Sequence, residues 1–462
     1  MLTEGAAAAA LRRLREAQAR DGSPSLERRR EALLSLRRLV TAEAEGFAAA
    51  ISEDFGGRSW HETMISEVGV VVAAIDHALA RLHRWSRPER VFVGWRFWPA
   101  RALVLKQPLG IVGVIAPWNY PVQLALSPLV GALAAGCRVV LKPSEHTPRT
   151  AEAICAAVAR HLDRDLVAAV AGGPELAAEM SGLAFDKLLF TGSSATGRRV
   201  LRAAADTLTP VVLELGGKSP AIIDPSADLK RAAADIVAGK LLNAGQTCVA
   251  PDYVLLPRAT MPAFVEAAKA AAARMRPDPS GSDATAVCRS ADRERLKRLV
   301  AGLDLVPLLP TAEPRGTSPC LVIDPPQDGE LMSEEIFGPV LPLVPYDDPE
   351  EVFDHLNLRP APLALYWFGR DRSRLTTVLA RTRSGGVAVN DTVLQVAVEG
   401  LPFGGLGESG VGAYHGRAGF DAFTHRRSVF LQSPLSGARL LRPPYGRLAE
   451  RAISAMVGGR VR

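Results

Sequence analysis

Five continuous apolar runs dominate the first half of the chain: GIVGVIAP (110–117), CRVVLKPSE (137–145), LVAAVAG (166–172), DKLLFTG (186–192) and PVVLELGG (210–217). A run with no polar alternation reads as a strand covered on both faces. HTPRTAEAICAAVARHL (146–162) reads as a helix, and helical segments separate most of the runs. Strand–helix alternation predicts a parallel, doubly wound sheet with right-handed crossovers, so the fold class is α/β.

A second α/β unit starts near Lys218 and runs to about residue 400. It has LKRAAADIVAGKLLNAG (229–245) and MPAFVEAAKAAAARM (261–275) as helices. Residues 1–85 read as helical. Ser23–Pro24 suits an N-cap followed by the first helical position, and Leu26, Leu33, Leu36 and Val40 continue a stripe. VFVGWRFWPARALVLK (91–106) is β-branched and aromatic and reads as a hairpin. Residues 277–285 read as a loop, and the tail from 432 as turns with one short amphipathic helix.

Several function classes fall away on composition. Nine Arg lie between Arg12 and Arg38, interleaved with Glu16, Asp21, Glu27 and Glu31 and with no aromatic residue. That is a solvated helix face with ion pairs, not a nucleic-acid surface. The five cysteines, at 137, 155, 248, 288 and 320, form no C-x-x-C and are odd in number. They match neither a zinc framework nor a secreted disulfide scaffold, and fit a reducing compartment. The eight His contain no H-x-x-x-H pair, so no protein-bound metal is expected. MLTEGAAAAALRRLRE reverses the charge order of a signal peptide. YPVQLALSPLVGALAAGC (120–137) carries Pro121, Gln123, Ser127 and Pro128 and reads as a buried helix rather than a membrane span. A cytoplasmic protein with no membrane partner is expected.

Two glycine patterns compete for a phosphate. GLGESG (405–410) matches G-x-G-x-x-G but follows no buried strand and opens no helix, so it reads as a structural turn. In LLFTGSSATGRRVLRAAA (188–205) a strand meets Gly192, and Gly197 opens a helix. Gly192 and Ser193 offer backbone N–H groups at a helix N-terminus. Arg198 and Arg199 stand where a P-loop needs Lys and Ser or Thr, which disfavours an NTPase and suits a dinucleotide pyrophosphate.

Taken together, PWNYP (117–121), KPSE (142–145), FTGSSATG (190–197), LELGGKSP (213–220), NAGQTCVAP (243–251), EEIFGPV (334–340) and PFGGLGESGVGAYHG (402–416) resemble the NAD(P)-dependent aldehyde dehydrogenase superfamily. PWNYP, YHGRAGF and RPPYG look most like its class 3 branch. DFGGRSWHET and the tail are similar to bacterial coniferyl aldehyde dehydrogenases. The resemblance implies an NAD-binding domain at 1–85 and 107–217 with 402–425 packing back on it. A catalytic domain would span 218–401, with oligomerisation elements at 86–106 and 426–462 and a homodimer as the assembly. Gln395 stands where such sequences often have His, and Gln123 where they have an aromatic.

The resemblance makes Cys248 the nucleophile, forming a thiohemiacetal and then a thioester. It makes Asn119 an amide donor to the oxyanion and Glu214 the base that activates water. A Glu at the end of an apolar strand should have a raised pKa. Lys142 and Glu145 match residues holding the adenine ribose, and Glu145 would repel a 2′-phosphate, so NAD is expected over NADP. Glu335 and Phe337 match the nicotinamide-ribose segment, and Trp118 lines the cofactor cleft. An activated Cys248 should react with thiol reagents faster than the other four cysteines. The expected function is oxidation of a hydrophobic, coniferyl-type aldehyde. A CoA-acylating semialdehyde dehydrogenase and a non-catalytic protein keeping the fold are the alternatives, and Glu214 argues against the first of them.

Overall fold

The computed structural model describes residues 5–94, 97–276, 278, 281, 283–309, 318–436 and 442–458. Parts of the 91–106, 277–285 and C-terminal readings therefore lie outside the described residues.

All five apolar runs are strands of one six-stranded sheet. Its order is Gly410–Val411, Val211–Leu215, Lys187–Gly192, Ile111–Ile115, Arg138–Lys142, Val167–Ala169. The strands from the five runs are mutually parallel; only Gly410–Val411 runs antiparallel, pairing Gly410 with Glu214 and Val411 with Leu213. Both faces are covered, as the lack of alternation requires. The helices Leu26–Ala42, Val70–Ser86 and Gln123–Ala135 pack on one face, and Ala6–Asp21 with Pro174–Gly182 on the other. Residues Trp60–Ser86 form a helical run long and apolar enough by composition to cross a membrane, yet Val71, Ile75, Ala78 and Leu82 are core residues here.

Through Gly216–Ser219 the chain crosses to a seven-stranded sheet. Its order is Leu305–Pro307, Cys320–Ile323, Val340–Tyr346, Tyr253–Pro257, Pro220–Ile223, Ala364–Phe368, Gly386–Val389. It too is parallel, except for its first pair. A third, antiparallel sheet joins Glu89–Val91, Arg101–Pro108 and Thr424–Leu431, so the expected hairpin gains a strand from far along the chain.

Three local expectations need correction. The second helix is capped by Ser25, whose Oγ accepts from Arg28 N at 3.3 Å, not by Ser23. Helix Leu229–Leu241 stops four residues before Gly245, because Asn243 (φ 50°), Ala244 (φ 52°) and Gly245 (φ 73°) are left-handed. Gly197 does not open its helix, which begins at Ser194 with Ser193 as N-cap.

Candidate active site

The left-handed turn after Leu241 aims the chain back between the two large sheets. Only glycine fits at 245, where a Cβ would stand 2.3 Å from the Gly338 carbonyl oxygen. Gln246, fully buried, braces the turn that carries Thr247 and Cys248. Its Nε2 donates to Asn243 O (2.9 Å) and Ala286 O (3.0 Å), and its Oε1 accepts from Cys288 N (2.8 Å). Thr247 Oγ1 shares a 2.7 Å hydrogen bond with the Tyr120 hydroxyl. Cys248 comes next, half-buried on the cleft wall.

Burial, with the Glu335 and Glu214 carboxyls adding repulsion, pushes the Cys248 thiol up to about 12. Burial likewise raises Cys137 and Cys320 to about 11 and Cys288 to about 12. Acidity therefore does not single out Cys248, and the expected labelling contrast would have to come from access through the cleft. What separates Cys248 from the other four is its place in the cleft.

Glu214 lies in the strand flanked by Lys187–Gly192 and Gly410–Val411. Its side chain is buried, and neither carboxyl oxygen has a hydrogen-bond partner among the described residues. Burial alone drives its pKa well above the usual carboxylate range. Asn119 Nδ2 donates to Gln246 O at 3.1 Å, and its backbone oxygen accepts from Asn243 Nδ2 at 2.9 Å. An amide nitrogen carries two hydrogens, so one remains for the cleft.

Cations and a carboxylate hold the 334–337 segment in place. Lys218 Nζ donates to Leu331 O and Glu334 O, both at 2.8 Å. Arg295 donates to Glu335 O (3.0 Å) and Ile336 O (2.6 Å), and Asp252 Oδ1 accepts from Ile336 N (2.9 Å). Phe337 is held left-handed at φ 47°, a strained state for a non-glycine residue. Its ring meets Trp118 edge-on at 5.7 Å, and the Arg289 guanidinium lies 4.7 Å from the Trp118 ring centre. Glu335 folds against Gly216, where a Cβ would clash with its Oε2 at 1.9 Å. Burial first, and Asp252 second, push Glu335 up to about 8.

A cleft of about 630 Å³ brings together Trp118, Asn119, Lys142, Glu145, Gly192, Ser193, Glu214, Cys248, Glu335 and Phe337. Gly197 is not on its wall. A Cβ at 197 would sit 2.6 Å from Leu215 Cδ2, so this glycine lets helix Ser194–Ala205 lie close on the sheet. Sequence reasoning missed Thr191, Thr196, His146, Arg199, Arg289, Asp292 and Arg295 on the same wall. The Arg289/Asp292/Arg295 spacing of three marks one helix face, the only signal that could have pointed to them.

The wall suits a dinucleotide. The helix N-terminus at Ser193 opens onto it, Thr191 Oγ1 is buried and has no partner among the described residues, and Lys142 Nζ meets Glu145 Oε2 at 2.6 Å. Burial is the largest single influence on Glu145 and works against its charge, but the Lys142 hydrogen bond, a backbone hydrogen bond and the Lys142 and His146 charges together outweigh it and lower the pKa below its ordinary value.

Two largely parallel α/β sheets thus bring a thiol, a buried carboxyl and an anion-ready helix terminus into one cleft, the arrangement of a dinucleotide-dependent enzyme with a nucleophile. Within that class the chain belongs to the aldehyde dehydrogenase family, whose profile matches residues 2–429. It is similar to a coniferyl aldehyde dehydrogenase of Pseudomonas sp., 40% identical over 97% of this chain and 95% of the relative. It is also similar to the dimeric NADP-preferring aldehyde dehydrogenase of Rattus norvegicus, 36% identical over 92% of this chain and 94% of the relative. Among solved structures, the substrate-bound Staphylococcus aureus AldH superposes with a TM-score of 0.93 at 32% identity. That match covers 98% of this chain and 100% of the other. The chain is an aldehyde dehydrogenase of a family that uses NAD(P).

Proposed function

We propose that the protein oxidises a hydrophobic, aromatic aldehyde of the coniferyl type to its carboxylic acid, with NAD as the preferred cofactor. The observation that carries the chemistry is the unpartnered, buried Glu214 carboxyl on the same cleft wall as Cys248. The aromatic substrate class is supported by the name of the Pseudomonas relative.

In the proposed sequence Cys248 passes its thiol proton to solvent in the cleft, and the thiolate sulfur attacks the carbonyl carbon to form a thiohemiacetal. The free hydrogen of Asn119 Nδ2 and the Cys248 backbone N–H stabilise the oxygen as it gains charge. A bound nicotinamide supplies the acceptor for the hydride that leaves the former aldehyde carbon. Lys142, Glu145, Gly192, Ser193, Glu335 and Phe337 would hold that cofactor, with Trp118 beside them. Cys248 is left as a thioester. Glu214 takes a proton from water, the hydroxide adds to the thioester, and collapse releases the acid and the thiol.

Turnover on a panel of aromatic and medium-chain aldehydes tests the substrate class. Aromatic aldehydes should give the larger kcat/KM, and added coenzyme A should not speed turnover. Preference for short aliphatic aldehydes, or acyl transfer to coenzyme A, overturns the proposal.

Cofactor choice rests on Glu145. A carboxylate kept ionised beside Lys142 repels a 2′-phosphate, so kcat/KM should be larger with NAD than with NADP. Glu145→Gln should narrow the gap. The Rattus norvegicus relative is named NADP-preferring, so the outcome is not given by the family. A wild-type preference for NADP would sink this part.

A further inference from the structure

The loop that carries Asn119 and the turn that carries Cys248 are both fastened to one ion pair outside the cleft wall. Arg58 and Glu67 have fully buried side chains and meet at 2.6 Å. Glu67 Oε2 accepts from Val122 N (2.8 Å) and Gln123 N (2.9 Å), the opening donors of helix Gln123–Ala135. Arg58 Nη1 donates to the Asn119 backbone oxygen (3.3 Å). The guanidinium lies 5.1 Å from the Phe55 ring centre and 4.9 Å from that of Tyr120. The Tyr120 hydroxyl then bonds Thr247, the neighbour of Cys248. The 119–123 segment is thus pinned at both ends by one pair of charges.

The pair is poorly suited to a role in stability alone. Desolvating two charges offsets much of their attraction, and apolar residues of similar volume often do as well. Arg58 Nε and Nη2 are also buried without a partner among the described residues, which adds a further penalty. Glu67 reaches its place from a π-helical turn, Met64–Gly69, a local irregularity frequent at functional sites.

We propose that Arg58 and Glu67 are positioning residues that fix the Asn119 amide relative to Cys248 for the acylation step. The proposal rests on the reading of Asn119 as the oxyanion donor. A misplacement of about 1 Å at such a donor costs on the order of 100-fold in rate.

Arg58→Lys is the test. It keeps a charge beside Glu67, but a lysine lacks the flat guanidinium that lies over the Phe55 and Tyr120 rings and whose single nitrogen Nη1 reaches both Glu67 Oε1 and the Asn119 oxygen. The rate of the first NADH burst is measured per cofactor-binding site, with the cofactor Kd and the Tm alongside. We expect the burst rate to fall by roughly 10- to 100-fold with the cofactor Kd unchanged. Placed in an Asn119→Ala background, Arg58→Lys should have no further effect. Glu67→Gln, nearly isosteric and uncharged, should reproduce the split and serves if Arg58→Lys does not fold. A merely structural pair would lower Tm or the number of competent sites while leaving the burst rate per site at the wild-type value, and that result overturns the proposal. Effects that add to those of Asn119→Ala overturn it as well. An Asn119→Ala enzyme with a wild-type burst would instead remove the oxyanion reading on which the proposal stands.

Discussion

Glu214→Gln should give one burst of NADH, up to about one per active site, followed by turnover slowed roughly 10²–10⁴-fold, the usual worth of a general base. Glutamine keeps the shape of the side chain but cannot accept the water's proton. Both Glu214 oxygens are unpartnered among the described residues, so the substitution breaks no hydrogen bond that the carboxyl makes in this structure. Rapid mixing with aldehyde and NAD reads the burst and the steady rate separately. A variant turning over at the wild-type rate would mean that another group activates water. Loss of the burst would move Glu214 to an earlier step, the deprotonation of Cys248.

That second outcome has a physical motive in the thiol itself. With its pKa pushed up to about 12, the Cys248 side chain is protonated at neutral pH, and its thiolate fraction grows about tenfold per pH unit. Cys248→Ala should abolish both burst and turnover, since no thiohemiacetal can form. In the wild type, the burst rate should climb steadily from neutral to alkaline pH, because the thiol titrates toward its reactive form throughout that range. Residual burst in Cys248→Ala would show that hydride leaves a hydrated aldehyde without a covalent step. A burst rate independent of pH would show that the bound state lowers the thiol's pKa below neutrality.

Much of the fold was legible because it obeys local rules. Five apolar runs without alternation have to be buried on both faces, and all five are strands of one parallel sheet. The errors arose where two local rules conflicted or where distant contacts decide. Ser23 and Ser25 flank Pro24 and are equally good caps by composition; only the hydrogen bond to Arg28 N separates them. LLNA continues the apolar helical stripe, yet Asn243, Ala244 and Gly245 turn left-handed, with Gly245 close against the Gly338 backbone. Gly197 matched a phosphate pattern, but a packing contact with Leu215 uses its missing side chain. The family motifs placed ten of the eleven expected site residues on one wall. The role of Arg58 and Glu67 stayed invisible because the backbone groups they hold lie more than fifty positions away, at 119 and 122–123.

The antiparallel pairing of Gly410 with Glu214 bears on how the enzyme can be engineered. Side chains alternate along a strand, so a one-residue slip in register turns every side chain to the opposite face. The Gly410–Val411 ladder closes the edge of the strand that presents Glu214 to the cleft. Its backbone packs so tightly that a Cβ at 410 would lie 2.6 Å from Leu213 O, and one at 405 would lie 2.1 Å from Ser409 O. Residues 405–411 include exposed positions and look like a place to splice in a peptide tag or a linker. They are instead a guide rail for the Glu214 strand, and inserted sequence belongs at a surface turn that does not touch it.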